Sequence, residues 1–184
     1  MKVNMFEYFL NAVHYCIYKE EVWSNRLSEK IVWKCFYVIS KIFSKESYYF
    51  KRRNKIRKDL KYQDYMYGQK AGQSIGLAHH WFGFFYSAYP GFFSWILIGI
   101  ADRTFGDLNE LYFLLIFLFP IGICYIPAYK AVFTDDKYLK YFKQFEKKDN
   151  LWHKKWKRIT VAFCIGAILI EVIGFFCMTI IVSI

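Results

Sequence analysis

The sequence predicts an all-α integral membrane protein, with three transmembrane helices preceded by cytoplasmic or interfacial amphipathic helices. Three observations predict it. Residues 159–184 form a long run whose only charge is Glu171, and at about 1.5 Å of rise per residue this exceeds the roughly 30 Å hydrocarbon core of a bilayer. Two further charge-free stretches, one ending at Ala101 and one beginning at Leu111, flank a short polar hairpin. The basic residues, finally, gather outside these runs. With 56% hydrophobic and 23% aromatic residues, the 184-residue chain is too apolar for a disordered segment.

Charge asymmetry sets the expected topology. Residues 1–80 hold 15 Lys and Arg against 7 Asp and Glu, residues 130–158 hold 10 against 4, and the hairpin 102–110 sets Arg103 against Asp102, Asp107 and Glu110. Lys and Arg collect in short cytoplasmic loops, so a multi-pass protein with a cytoplasmic N-terminus and an outside C-terminus is expected. A net charge of +11 also suits nucleic acid. No reading module accompanies it, so anionic headgroups are the expected partner and nucleic acid is disfavoured. Lys-, Tyr-, Phe- and Ile-rich usage points to an AT-rich genome and a bacterial inner membrane.

Residues 1–80 read as a basic amphipathic region. Asn4, Glu7, Asn11, His14 and Tyr18 recur at helical spacing among apolar residues, which makes a helix with a narrow polar stripe. Glu7 and His14 make it a poor span. The stripe is expected to face the cytoplasm while the apolar side sinks into the membrane, and insertion of residues 4–18 as a fourth span stays open. A second amphipathic helix is expected from Lys30 to Lys45, with Lys30, Lys34, Tyr37, Lys41 and Ser44 or Lys45 on one face and Trp33, Phe36 and Phe43 around the other. No cleavage site follows the first apolar stretch, so the first span is expected to serve as insertion signal. The run Lys51, Arg52, Arg53, Lys55, Arg57 and Lys58 has little apolar face to bury and suits a solvated helix beside headgroups.

The charge-free stretch from Ala71 to Ala101 is too long for one crossing. Tyr89-Pro90-Gly91 offers a kink, so the span is placed at 81–101, after an interfacial turn from Gly72 to His79 and an anchor of His79, His80 and Trp81. The return span, 111–129, contains Pro120 and Pro127, and Pro127 is expected to end its regular helix. Residues 130–158 read as a basic inner helix carrying Tyr138, Tyr141, Phe142 and Phe145. Trp152, His153 and Trp156 then sit among Lys154, Lys155, Lys157 and Arg158 ahead of the terminal span, 159–184.

Glu171 falls near the bilayer midplane, where a carboxylate costs roughly 2.5–3.5 kcal/mol on insertion scales. It is expected at a helix contact, because Ala162, Gly166 and Gly174 are small residues that let helices approach. Tyr86, Ser87 and Tyr89 are its expected partners by depth. No catalytic motif is present: HExxH, GxSxG and a phosphate-binding loop are all missing. The five cysteines include no CxxC pair, and neither metal nor cofactor is expected.

These features suit a non-enzymatic membrane subunit or scaffold that binds lipid headgroups or a cytoplasmic partner through its basic inner face. The alternative is an oligomeric pore, channel or transport element with Glu171 on the path, and the third is a membrane enzyme whose scattered site joins His79, His80 and Glu171. Three spans enclose little alone. A homo-oligomer or a partner membrane subunit is therefore expected.

Overall fold

A computed structural model describes residues 4–42 and 46–183. Phe43, Ser44 and Lys45, assigned above to the second amphipathic helix, lie outside the described residues, as does the last residue of the terminal run. The described residues form α1 (Met5–Ile42), α2 (Glu46–Lys58), α3 (Leu60–Tyr67), α4 (Gln73–Phe105), α5 (Glu110–Val132), a 3-10 turn (Thr134–Asp136), α6 (Lys137–Phe145) and α7 (Asn150–Ser183). No strand occurs among them. Three helices are long and apolar enough to cross a membrane: α4, the stretch that α5 opens at Glu110, and α7.

Four boundaries differ from those expected. The two N-terminal amphipathic helices are one, α1, because the intervening Lys19–Glu29 segment contains neither glycine nor proline to interrupt it. The segment expected as a turn from Gly72 to His79 is helix from Gln73 on: the turn lies earlier, at 69–71, and α4 continues through Pro90. Pro127 does not end α5, which runs on to Val132. Proline forfeits a single hydrogen bond four residues back, and packing around the end of α5 outweighs that loss. Residues 130–158 are not one helix either, since Trp152 to Arg158 form the opening turns of α7 itself.

The chain divides into two compact units. The first comprises Met1–Cys16 and Trp81–Ile184, the second Ile17–His80. In the first, α6 is strongly amphipathic, and its Tyr138, Phe142 and Phe145, at i, i+4 and i+7, are all buried. Tyr15 of α1 meets Phe142 edge-on at 5.1 Å, and Phe145 stacks on Trp152 at 4.8 Å. The Trp152 indole N–H donates to the Tyr8 hydroxyl at 3.0 Å, giving the half-buried indole an acceptor. Glycines bring α4 and α7 together: a methyl group at Gly99 would lie 3.2 Å from the Cα and carbonyl oxygen of Met178, and one at Gly174 3.2 Å from Phe92 Cα.

The second unit is held by tyrosines that reach backbone. Buried Tyr49 of α2 packs on Trp33 of α1 at 5.6 Å and donates to the Trp33 carbonyl at 2.6 Å. Asp59 caps α3 by accepting from the Lys61 amide at 2.9 Å. Tyr18 donates to the Tyr67 carbonyl at 2.7 Å, and Ser74 bridges Asn25 and the Met66 carbonyl.

Candidate functional site

Glu171 is half-buried on the side of α7 that faces α4. Its Oε2 accepts the indole N–H of Trp95 at 2.7 Å, and its Oε1 lies so close to Gly91 that any side chain there would overlap it. Gly91 and Trp95 are one helical turn apart. The glycine opens the room in which the carboxylate reaches the indole, while Phe117 and Phe175 pack edge-on against the Trp95 ring at 5.1 and 5.5 Å.

The expected partners of Glu171 are engaged elsewhere. Tyr86 donates to the Cys124 carbonyl at 3.1 Å, Ser87 to the Gly83 carbonyl of its own helix at 2.7 Å, and Tyr89 to the Phe163 carbonyl at 2.8 Å. The acid therefore pairs further along α4 than depth counting placed it, where Gly91 removes the steric bar. Gly166 faces the Tyr89 hydroxyl, which would lie 3.0 Å from an added methyl, and Gly174 faces Trp95. Ala162 is exposed and takes no part in this contact.

Beyond exposed Asn4 and half-buried Glu7, the polar stripe of α1 turns away from solvent. Asn11 and His14 are both 0% exposed. Asn11 Nδ2 donates to the Ala131 carbonyl at 3.0 Å and to the Glu7 carbonyl at 2.8 Å. Ala131 is in the last turn of α5, where carbonyls have no partner within the helix, so the stripe supplies a cap from another element. His14 is ringed by Phe82, Phe133, Tyr138 and Phe142 at 5.2–5.6 Å. Glu7 accepts from Tyr141 at 3.2 Å and pairs with Lys137 at 3.4 Å.

Basic side chains occupy both units. On α2, Lys51, Arg52, Lys55, Arg57 and Lys58 are exposed, and none of them pairs with a described carboxylate. Arg53 is half-buried, and its enclosed Nε has no acceptor among the described residues. On α7, Lys154, Lys155, Lys157 and Arg158 are exposed. His79 and His80 belong to the second unit and Glu171 to the first. Among the described residues, no three His, Cys, Asp or Glu side chains gather as metal ligands would.

No protein-family model matches this chain, and no curated protein or solved structure is significantly similar to it.

Sequence reasoning missed Trp95, Gly91, Arg26 and Lys30. A tryptophan within an apolar run needs an acceptor for its N–H, and Glu171 needs a donor, so that pairing had a signal. Arg26 and Lys30 carried a weaker one, as two cations a turn apart. Arg26 lies over the Tyr67 ring, 5.2 Å from its centroid, and the Tyr67 hydroxyl donates to Glu29 at 2.7 Å. Burial first, and the bond to Glu29 second, push the Tyr67 phenol above its ordinary range.

Proposed function

We propose that the chain is a multi-pass membrane protein that performs no catalysis and serves as a subunit or scaffold, binding anionic lipid headgroups through a basic cytoplasmic face. In this reading α4, α5 and α7 cross the bilayer, with the N-terminus in the cytoplasm and the C-terminus outside. The observation that carries it is the row of cations on α2 that pair with no described carboxylate, in a chain whose three apolar helices keep their charges near their ends, Glu171 excepted. A Lys or Arg near an anionic leaflet contributes about 1 kcal/mol of attraction. Within the first unit, exposed Lys154, Lys155, Lys157 and Arg158 stand at the start of a candidate span, where cations suit the headgroup layer.

The pore reading is weaker. A conducting carboxylate must exchange its partner for water or an ion, whereas Glu171 is bonded to an indole and pressed against a glycine. Those contacts support a packing role.

The test uses the full-length protein reconstituted into vesicles, with its six tryptophans as reporters. Brominated anionic lipid should quench their fluorescence more strongly than brominated phosphatidylcholine. Salt at about 1 M, where the screening length falls to about 3 Å, should remove the preference. Equal quenching by the two lipids at low salt overturns the proposal. Ion flux through the same vesicles that is abolished by Glu171→Gln and retained in Lys51→Ala would establish the pore instead.

A further inference from the structure

Two cavities within the second unit have one lining residue in common, Trp33. One, of about 410 Å³, is polar and receives Arg26 and Lys30 from α1, Arg53 and Arg57 from α2, and the Glu29 and Tyr67 side chains. The other, of about 530 Å³, is apolar and runs between Phe36 and Ile39 of α1 and Tyr48 and Ile56 of α2, with Arg52 at its edge. Both volumes lie within the roughly 300–1,000 Å³ of small-molecule sites.

The cations have a regular origin. Arg26 and Lys30 are four residues apart on α1, and Arg53 and Arg57 are four apart on α2, so each helix presents one pair of like charges from successive turns. Like charges at that spacing repel unless an anion lies between them. The single carboxylate, Glu29, already accepts from Tyr67, and none of the four cations pairs with a described carboxylate. Arg53 Nε is enclosed with no acceptor among the described residues. The cavity therefore presents donors and positive charge in excess, in the arrangement suited to phosphate oxygens.

The same helices switch character within two turns. On α2, Arg53 and Arg57 line the basic cavity while Ile56 lines the apolar one, and on α1 Lys30 gives way across Trp33 to Phe36. A ligand filling both must be anionic at one end and hydrocarbon at the other. We propose that these cavities form a discrete site for one phosphate-bearing membrane lipid, its phosphate held by Arg26, Lys30, Arg53 and Arg57 and an acyl chain laid past Trp33 between Phe36 and Ile56. The site rests on the reading of the chain as a binder of anionic lipid, and converts a diffuse attraction into a saturable one.

The experiment counts lipids retained by the full-length protein in detergent, by native mass spectrometry during titration with dioleoyl phosphatidic acid. The wild type retains one such lipid per chain above the background set by phosphatidylcholine. The Arg53→Gln/Arg57→Gln protein should bind it at least tenfold more weakly, and Arg103→Gln, an exposed change outside both cavities, should leave that binding unchanged. Arg57→Gln alone, an exposed change that disturbs no packing, should weaken it severalfold and guards against misfolding of the double variant. Equal retention by wild type and both Arg variants overturns the discrete site, and if the bromolipid preference persists the broader reading stands. Loss of that preference in the wild type overturns the reading itself. Two further arms identify the ligand. Dihexanoyl phosphatidic acid must bind more weakly than the dioleoyl form, or the apolar half is wrong. Displacement of the lipid by millimolar inorganic phosphate would assign the cavity to free phosphate and overturn the lipid.

Discussion

The Trp95 indole N–H and the Glu171 carboxylate are joined at 2.7 Å between α4 and α7, with Gly91 one turn from the indole leaving space for the acid. The bond satisfies two groups at once, and each would otherwise stand without a partner in an apolar run. Trp95→Phe and Glu171→Ala should each lower stability by about 1–3 kcal/mol, because each strands the other partner. The double variant should lose less than the sum, with a coupling of about 0.6–2 kcal/mol. Unfolding midpoints of the four proteins in one detergent give this coupling, and strict additivity would rule the bond out as a source of stability.

Gly91→Ala and Gly99→Ala should differ in a diagnostic way. At Gly91 the new methyl meets the far end of the Glu171 side chain, which can swing aside, whereas at Gly99 it meets Met178 backbone at 3.2 Å. Gly99→Ala should therefore force α4 and α7 apart and cost about 1–3 kcal/mol. Gly91→Ala should cost about as much as losing the Trp95 bond and should add little to Trp95→Phe. Thermal unfolding of these variants and of the Gly91→Ala/Trp95→Phe pair separates the two mechanisms.

Asn11→Leu should destabilise the first unit by about 1–3 kcal/mol, since it leaves the Ala131 carbonyl at the end of α5 without a donor. Hydrogen exchange at the end of α5 should rise with it. Unchanged protection over the last turn of α5 would remove the cap from the account.

Tyr67 gives a pH dependence of known sign. Its phenol is held above the ordinary value of 10.0 by burial and then by Glu29. The folded state thus favours the protonated phenol, so its contribution is fully present below about pH 10 and is lost as pH rises beyond it. Between pH 8 and 11 the wild-type unfolding midpoint should fall further than that of Tyr67→Phe. Parallel pH profiles for the two proteins would contradict this.

The helical architecture was legible because charge-free runs and their basic flanks are local signals. The continuity of α1 was legible too, in the missing glycine and proline between Lys19 and Glu29, but amphipathic periodicity pulled attention to its two ends. The destination of Asn11 and His14 was not. A polar stripe on an apolar helix reads as solvent-facing, and nothing near Asn11 indicates that its acceptor is a carbonyl 120 residues away. Glu171 was found by its isolation, whereas its partner required knowing that Gly91 leaves room on α4. The convergence of Arg26 and Lys30 with Arg53 and Arg57 depends on how α2 turns back along α1, which charge counting does not contain.

The bond from Asn11 to Ala131 also orders events in time. At roughly 5–20 residues per second of synthesis, the 120 residues separating the two groups take about 6–24 s to emerge. Throughout that interval the first turns of α1 carry an amide for which only one of its two acceptors, the Glu7 carbonyl, has been made. They must wait in contact with water or headgroups, and only the completion of α5 allows these turns to take their final place.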